Sequence, residues 1–346
     1  MKTISIFNQK GGVGKTTSVV NLAVSLSKLD KKVLVIDFDP QANTTTGLGF
    51  DKNELEKSIY KMFYDEGDNY KDYILKSKEG PYLIASENSL SGLEVELVSL
   101  DQEERLKMLS QIIEEIKKDF DIILIDCPPS LGLLSLNALV ASDSIIIPIQ
   151  TEYYALEGVS ELLKTYQTIK ESIKEDLEIE GVLLCMFDKD TDLSYEVVEE
   201  VKSFFKEKVF STMIPRNIKL AEAPSFGKSV ISYDEKSKGA RAYLSLAKEL
   251  VENIFGKKEN LEKNSKIEEK NDNLNNAEIK NLEKTKEIRD EKSKEDKNIV
   301  KNDKKENSDE TIVKKNKFSF NQNKLINNEK RDWLWRKKLW AEDLDP

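Results

Sequence analysis

A glycine-rich segment joins an apolar, strand-like run to a helix-like run near the start of the sequence, and it limits the possible folds of this chain more than any other segment does. Glycines let backbone N–H groups converge on phosphate oxygens, and the start of a helix adds partial positive charge. We therefore expect the segment to bind the phosphates of a nucleotide, with Lys15 reaching the terminal phosphates and the Thr16 hydroxyl binding Mg²⁺. The eight residues concerned are Lys10, Gly11, Gly12, Val13, Gly14, Lys15, Thr16 and Thr17.

Short apolar runs alternate with longer helical patterns along residues 1–256. We predict strands at Thr3–Phe7, Val33–Ile36, Tyr82–Ala85, Ile122–Ile125, Ser144–Ile149, Val182–Phe187 and Val209–Ile214. We predict helices at Thr16–Leu29, Glu103–Lys118, Leu156–Lys170, Glu196–Phe205 and Gly239–Phe255. This alternation predicts an α/β fold with a doubly wound, mostly parallel sheet and helices on both faces. Ligands of such sheets bind at the carboxyl ends of the strands.

Two predicted strands end in carboxylates. Asp37 and Asp39 follow the second strand, and their spacing of two sends both side chains to the same side of an extended chain. Asp126 ends the buried run Ile122–Ile125, as in a Walker B strand. Such carboxylates could hold Mg²⁺, directly or through water, and orient an attacking water. The predicted metal-binding residues are Thr16, Asp37 and Asp126.

The glycine-rich segment departs from the ordinary phosphate-loop pattern at its start. Gln9 stands where that pattern has glycine, and Lys10 directly precedes the double glycine. This resembles the deviant Walker A motif of the ParA/MinD family of P-loop ATPases. The resemblance implies that Lys10 reaches across a dimer interface to the partner's nucleotide, that Asp39 is needed for hydrolysis, and that Asp37 supports the metal. The implied catalytic residues are Lys10, Lys15 and Asp39.

Three further strings extend the resemblance to about residues 1–254, towards the ParA/Soj branch. They are Asp126–Gly132, Ile149–Gly158 and Ile214–Lys228. Spacing alone indicates only a nucleoside triphosphate, whereas the resemblance implies that Pro215 and Asn217 line an adenine pocket and that ATP is the nucleotide. It also implies a homodimer formed on ATP binding, nonspecific DNA binding and stimulation by a ParB-like partner in chromosome or plasmid partitioning.

Charge places limits on DNA binding. The chain carries 54 basic and 64 acidic residues, a net charge of −10. Residues 257–346 carry a net +3, so residues 1–256 carry −13 and need a local basic patch to bind DNA. The best candidate is the segment 215–241, with six basic and three acidic residues. We predict phosphate contacts from Arg216, Lys219 and Lys228.

One departure weakens the DNA prediction. The resemblance implies an arginine in the loop 188–192. This chain has Asp190 in its place, and Lys189 is the loop's one basic residue. DNA affinity is therefore expected to be weak or to depend on other residues.

We predict three regions. Residues 1–256 form the ATPase domain, and residues 257–329 form a disordered, highly charged linker with few aromatic residues. Residues 330–346 form a basic motif that contains every tryptophan of the chain. Its apolar positions do not gather on one helical face, so three interpretations stay open for the motif: a protein-docking segment, a membrane contact, or an end without function.

Composition narrows the remaining classes. The chain has no histidine and only two well-separated cysteines, Cys127 and Cys185, which excludes histidine metal sites and argues against a disulfide framework. No signal peptide or membrane-spanning run is recognisable, so we expect a cytoplasmic protein. The DNA binding that the resemblance implies would associate it with the nucleoid. Two alternatives remain: a MinD-like membrane-associated positioning ATPase, and a scaffold that binds ATP without turning it over.

Overall fold

A computed structural model describes residues 1–64, 69–101, 103–152 and 155–256, with the backbone alone at 155–157. The predicted linker and tryptophan-rich motif lie outside the described residues. Within them the α/β prediction is confirmed. A seven-stranded sheet has the order β3-β4-β2-β5-β1-β6-β7 and is parallel except for the β3–β4 pair. The strands are β1 (Lys2–Ile6), β2 (Val33–Asp37), β3 (Leu75–Lys76), β4 (Tyr82–Ile84), β5 (Ile122–Asp126), β6 (Ser144–Gln150) and β7 (Glu178–Cys185).

Helices cover both faces of this sheet. They are α1 (Lys15–Ser27), α2 (Asn43–Gly47), α3 (Ile59–Met62), α4 (Leu90–Leu97), α5 (Glu104–Ile116), α6 (Leu133–Val140), α7 (Ala155–Ser172), α8 (Asp192–Phe205), α9 (Ile218–Glu222), α10 (Val230–Tyr233) and α11 (Lys238–Val251). The core of one face is built by α1, α10 and α11, and that of the other by α3 to α8. Six of the seven predicted strands and all five predicted helices are present, with boundary shifts of a few residues.

Alternation along the strands explains why the sheet is buried on both faces. In β2, Val33 and Val35 pack beneath α1, while Leu34 and Ile36 join the opposite core. All five residues of β2 and of β5 are buried. Continuous apolar runs are what a two-sided parallel sheet requires, because each face must be covered by helices.

The prediction of a strand at Val209–Ile214 is wrong. This segment runs beside β7 but forms only an isolated parallel bridge near each end. Between the bridges, the N–H groups of Ser211 and Thr212 donate to the Glu249 carboxylate at 2.6 and 3.0 Å. The centre of the segment thus satisfies its donors outside the sheet, and no continuous ladder forms there.

The sheet topology fixes where a ligand can bind. Strand β1 lies between β5 and β6, and the chain leaves it through α1 to reach β2 on the far side of β5. The strand order therefore reverses at β1, and the crevice at its carboxyl end is the expected binding position in an open parallel sheet. The glycine-rich segment and the three predicted aspartates all lie at this edge, following β1, β2 and β5.

Candidate phosphate- and metal-binding site

The glycine-rich segment forms an open loop that runs into α1. Gly12 and Gly14 have φ angles of 75° and 98°, a region that favours glycine. A Cβ atom added at Gly11 or Gly12 would meet nothing within 4 Å, so the backbone borders open space. Gly14 is the N-cap of α1 and brings no side chain to the first-turn N–H groups. Those donors suit an anion at the helix N-terminus.

Two lysines frame the loop. Lys15 is buried, and its Nζ donates to the backbone carbonyl of Lys10 at 3.1 Å. Burial lowers the pKa of Lys15, while the nearby carboxylates of Asp126 and Asp39 oppose that shift. Lys10 is exposed, so its side chain is available to a ligand or a second molecule. The loop thus offers one enclosed and one outward cation.

Asp126 is the centre of the carboxylate site. It is fully buried, and its Oδ2 accepts hydrogen bonds from the hydroxyls of Thr16 (2.8 Å) and Thr44 (2.7 Å). Its Oδ1 is buried and has no hydrogen-bond partner among the described residues. Burial raises the pKa of Asp126, against the two threonine hydrogen bonds. A buried carboxylate oxygen without a partner is costly, and a cation or its bound water removes that cost.

Asp37 differs from Asp126 because both of its oxygens are already bound. Its Oδ2 accepts from the N–H and the hydroxyl of Thr45 at 2.7 and 2.6 Å, and its Oδ1 accepts from the N–H of Asp39 at 3.3 Å. Burial raises its pKa, and the charge of Asp126 adds to the rise. The geometry therefore suits Asp37 to supporting a metal site and Asp126 to facing the metal.

Asp39 lies in the turn that leaves β2. Its Oδ1 accepts from the N–H of Gln41 at 2.9 Å, and its carbonyl accepts from the Ser86 hydroxyl at 2.7 Å. It is 7 % exposed, so the turn holds a largely buried carboxylate. Its charge acts on both Lys15 and Asp126, so the structure brings the predicted catalytic carboxylate to the phosphate loop.

The residues present fit magnesium better than a metal held by protein alone. Among the described ranges, no group of three or more His, Cys, Asp or Glu side chains could hold a metal ion. Magnesium usually takes one or two protein oxygens and completes its shell with water and substrate phosphates. Oδ1 of Asp126, which is buried and accepts no hydrogen bond from the described residues, and the adjacent Thr16 hydroxyl are a donor set of that kind.

A cavity of about 340 Å³ adjoins the phosphate loop. Pro215 and Asn217 line it together with Gly14 and Thr17, so the two predicted base-binding residues lie beside the loop. The Asn217 Oδ1 accepts from the N–H of Lys219 at 2.8 Å and caps α9. Its amide nitrogen is the group left for a ligand.

The three predicted DNA contacts differ in their surroundings. Arg216 is exposed and donates to the Glu152 carboxylate at 2.8 Å, and Lys219 donates to Glu222 at 2.9 Å. Lys228 is exposed and has no ion pair among the described residues. Two of the three cations are therefore partly neutralised in the single subunit.

Sequence reasoning missed Thr44 and Thr45. Both sit at the start of α2, and their hydroxyls donate to Asp126 and Asp37 respectively. Three consecutive threonines soon after Asp39 were the available signal. Their partners could not be inferred, because the chain reverses at Ala42, with φ 56°, before α2 begins.

Fold and site together define a P-loop nucleoside triphosphatase. The sheet reverses its order at β1, a glycine loop opens α1 there, and an acid ending β5 meets the Thr16 hydroxyl. A family model described as an AAA domain matches residues 1–179. The chain is 50% identical over 253 residues to the sporulation initiation inhibitor protein Soj of Bacillus subtilis, covering 73% of this chain and 99% of that protein.

A second relative and a solved structure agree. The chromosome partitioning protein ParA of Myxococcus xanthus is 46% identical over 72% of this chain and 88% of its own length. The structure of cobyrinic acid a,c-diamide synthase from Mycobacterium smegmatis, with bound ADP and magnesium, is 32% identical, with a TM-score of 0.63 over 73% of this chain and 94% of that one. This chain belongs to the ParA/Soj family of chromosome-partitioning ATPases.

Two negative findings complete the description. Cys127 and Cys185 are both buried, and burial raises the pKa of each thiol to about 12, which makes them poor nucleophiles. In the part of the chain that the structure describes, no helix has the length and apolar character needed to cross a membrane.

Proposed function

We propose that this chain binds Mg-ATP at the carboxyl edge of the sheet and hydrolyses it slowly to ADP and phosphate. The observation that carries the proposal is the buried Oδ1 of Asp126, which has no hydrogen-bond partner among the residues that the structure describes. ATP and magnesium fit this place because the loop supplies N–H donors and lysines, and Thr16 supplies a hydroxyl beside the carboxylate.

The residues divide the chemistry among themselves. Thr16 and Asp126 would hold magnesium, which supplies positive charge next to the phosphate oxygens. Lys15, which now donates to a loop carbonyl, exchanges that acceptor for a phosphate oxygen. Asp39 orients the water that attacks the γ-phosphorus as the bond to the ADP oxygen breaks. Asp37 accepts two hydrogen bonds from Thr45 and so holds the start of α2. It thereby supports the turn before α2, which contains Asp39.

ATP would also act as a conformational ligand. Lys10 is exposed at the loop, and we assign it to the nucleotide of a second copy, which makes ATP the bridge of a homodimer. The dimer presents Arg216, Lys219 and Lys228 twice and binds duplex DNA through backbone phosphates, without sequence preference. A ParB-like partner accelerates hydrolysis and so returns the dimer to monomers. Because the dimer binds DNA, the protein would act in the cytoplasm on the nucleoid during chromosome or plasmid partitioning.

We place the boundary of the proposed ATPase domain at residue 256, and the extent of the match to Soj supports this position. Soj matches 253 residues of this chain over 99% of its own length, which supports an ATPase domain at residues 1–256. Residues 257–329 and the tryptophan-rich segment 330–346 would then be an addition to that domain. We assign the segment to a protein or membrane contact, which deletion of residues 330–346 tests by partner capture and by flotation with anionic vesicles.

DNA retention tests the proposed function. Wild type, Lys15→Ala and Arg216→Ala are compared on random duplex DNA at low salt, with magnesium and ATP, ADP or no nucleotide. Wild type should bind DNA when ATP is present and not with ADP or without nucleotide. Lys15→Ala should not bind DNA, and Arg216→Ala should bind it more weakly with a smaller salt dependence. The proposal is contradicted if wild type binds DNA equally well with every nucleotide condition, or does not bind DNA at all.

A further inference from the structure

Asn8 lies between β1 and the phosphate loop, and both ends of its side-chain amide are engaged. Its Oδ1 accepts from the backbone N–H of Lys10 at 3.0 Å, and its Nδ2 donates to the carbonyl of Pro148 on β6 at 2.8 Å. The side chain is almost enclosed, at 8 % exposure. One amide therefore ties the backbone of Lys10 to β6, an interior strand of the sheet.

Lys10 is held from two sides in this structure. Asn8 takes its N–H, and Lys15 Nζ donates to its carbonyl at 3.1 Å. The proposed function moves Lys15 to a phosphate, which removes the second contact. The hydrogen bonds of the Asn8 amide then keep the Lys10 backbone next to β6.

The neighbouring amide is placed differently. Gln9 Nε2 donates to the Thr165 hydroxyl on α7 at 3.3 Å, and its side chain is only half-buried. That bond is longer than the two made by Asn8, and it involves neither the N–H nor the carbonyl of Lys10. Of these two adjacent side-chain amides, that of Asn8 hydrogen-bonds to the Lys10 backbone and that of Gln9 hydrogen-bonds to Thr165 instead.

We propose that Asn8 is a positioning residue that aims Lys10 at the nucleotide of the second subunit, so that it controls ATP-dependent dimerisation more than ATP binding. The inference rests on the proposed function, because it needs Lys10 to act across a dimer. A lysine reaching another molecule loses side-chain freedom on binding, and a fixed backbone reduces the entropy that must be lost. Asn8 acts through this pre-organisation and touches no phosphate itself.

Substitutions at Asn8 separate its two bonds. Asn8→Ala removes both. Asn8→Asp keeps an acceptor for the Lys10 N–H but cannot donate to the Pro148 carbonyl. The order of dimerisation strength should be wild type, then Asn8→Asp, then Asn8→Ala. Loss of the two hydrogen bonds should weaken the dimer roughly tenfold.

The test is a double-mutant cycle between positions 8 and 10. Sedimentation with a non-hydrolysable ATP analogue and magnesium gives the dimer dissociation constant, and titration of a fluorescent ATP analogue at dilute protein gives the nucleotide dissociation constant of the monomer. Asn8→Ala should weaken dimerisation roughly tenfold while changing monomer nucleotide affinity less than about threefold. In a Lys10→Ala background, Asn8→Ala should cause no further loss, because both changes act on one interaction.

Controls keep the outcomes distinct. Gln9→Ala should dimerise as wild type, and unchanged thermal unfolding should verify that each variant is folded. If Asn8→Ala does not fold, Asn8→Asp replaces it in the cycle. Equal loss in both backgrounds, or dimerisation unaffected by position 8, overturns the inference. If wild type fails to dimerise, or Lys10→Ala dimerises normally, the proposed function fails instead.

Discussion

Asp37 and Asp126 are direct neighbours across the β2–β5 ladder, at the last position of each strand. Both are fully buried at the edge where the phosphate loop begins. Two carboxylates enclosed this closely repel each other and lack bulk water, so the site favours protonation or a cation. The metal-free protein should therefore show the cost of this arrangement, and the metal should relieve it.

Stability of magnesium-free protein should fall as pH rises. Burial, with the charge of Asp126 as the second cause, raises the pKa of Asp37 from 3.8 to about 8. Between these values the folded state binds more protons than the unfolded chain, so the free energy of unfolding decreases with increasing pH. Asp37→Asn should remove part of this slope between pH 6 and pH 8. Urea unfolding in EDTA measures it, and parallel slopes in the two proteins would contradict the assignment.

Thr44→Val should impair magnesium-dependent hydrolysis. The Thr44 hydroxyl donates to Asp126 Oδ2 at 2.7 Å, and valine keeps the shape while removing the donor. Loss of a hydrogen bond to a charged group is worth about 1.5–3 kcal/mol, so turnover at limiting magnesium should fall roughly tenfold or more. Thr46→Val is the matched control, because that hydroxyl donates to the Ala42 carbonyl within the same short helix.

The comparison is steady-state ATPase over a magnesium titration. Thr44→Val should require more magnesium than wild type, and Thr46→Val should follow the wild-type curve. A Thr44→Val protein with an unchanged magnesium requirement would show that Asp126 does not depend on this hydroxyl.

Glu152→Gln should strengthen DNA binding. Glu152 accepts from Arg216 at 2.8 Å and competes with DNA phosphate for that side chain. Exposed pairs contribute up to about 1 kcal/mol, so the ATP-dependent affinity should rise roughly two- to fivefold at low salt. Glu114→Gln on α5, whose partner is Lys117 three residues further on and not Arg216, should have no such effect. Fluorescence anisotropy with labelled duplex DNA measures both, and a gain shared by the two variants would indicate net charge alone.

Both cysteines should resist alkylation in the folded protein. Burial raises the pKa of Cys127 and of Cys185 to about 12, and the thiolate is the reactive form. At pH 8 iodoacetamide should modify the native thiols on the order of a thousandfold more slowly than the denatured ones. Cys185 also lines the cavity beside Gly14, so ATP should protect it further. Peptide mass spectrometry distinguishes the two sites, and rapid native labelling of either would contradict its burial.

Six strands of the sheet, the phosphate loop and the acids at the strand ends were predictable from the sequence, whereas the two-residue edge strand β3 was not. The predicted features follow from local rules: short apolar runs that alternate with helical patterns, a glycine loop before a helix, and aspartate at the end of a buried run. The same rules wrongly predicted a strand at Val209–Ile214. Glu249 on α11, which begins at Lys238, accepts hydrogen bonds from the central N–H groups of this segment. Apolar character cannot show such a distant competitor.

Tertiary structure alone decided which atoms remain available. Asp37 and Asp126 both end an apolar run in the sequence. In the structure Thr45 and the Asp39 N–H engage both oxygens of Asp37, whereas Oδ1 of Asp126 has no hydrogen-bond partner among the described residues. Arg216 becomes paired because the chain brings Glu152 to it from 64 residues away. Hydrogen bonds and ion pairs depend on a few tenths of an ångström between distant segments, and only the folded chain sets those distances.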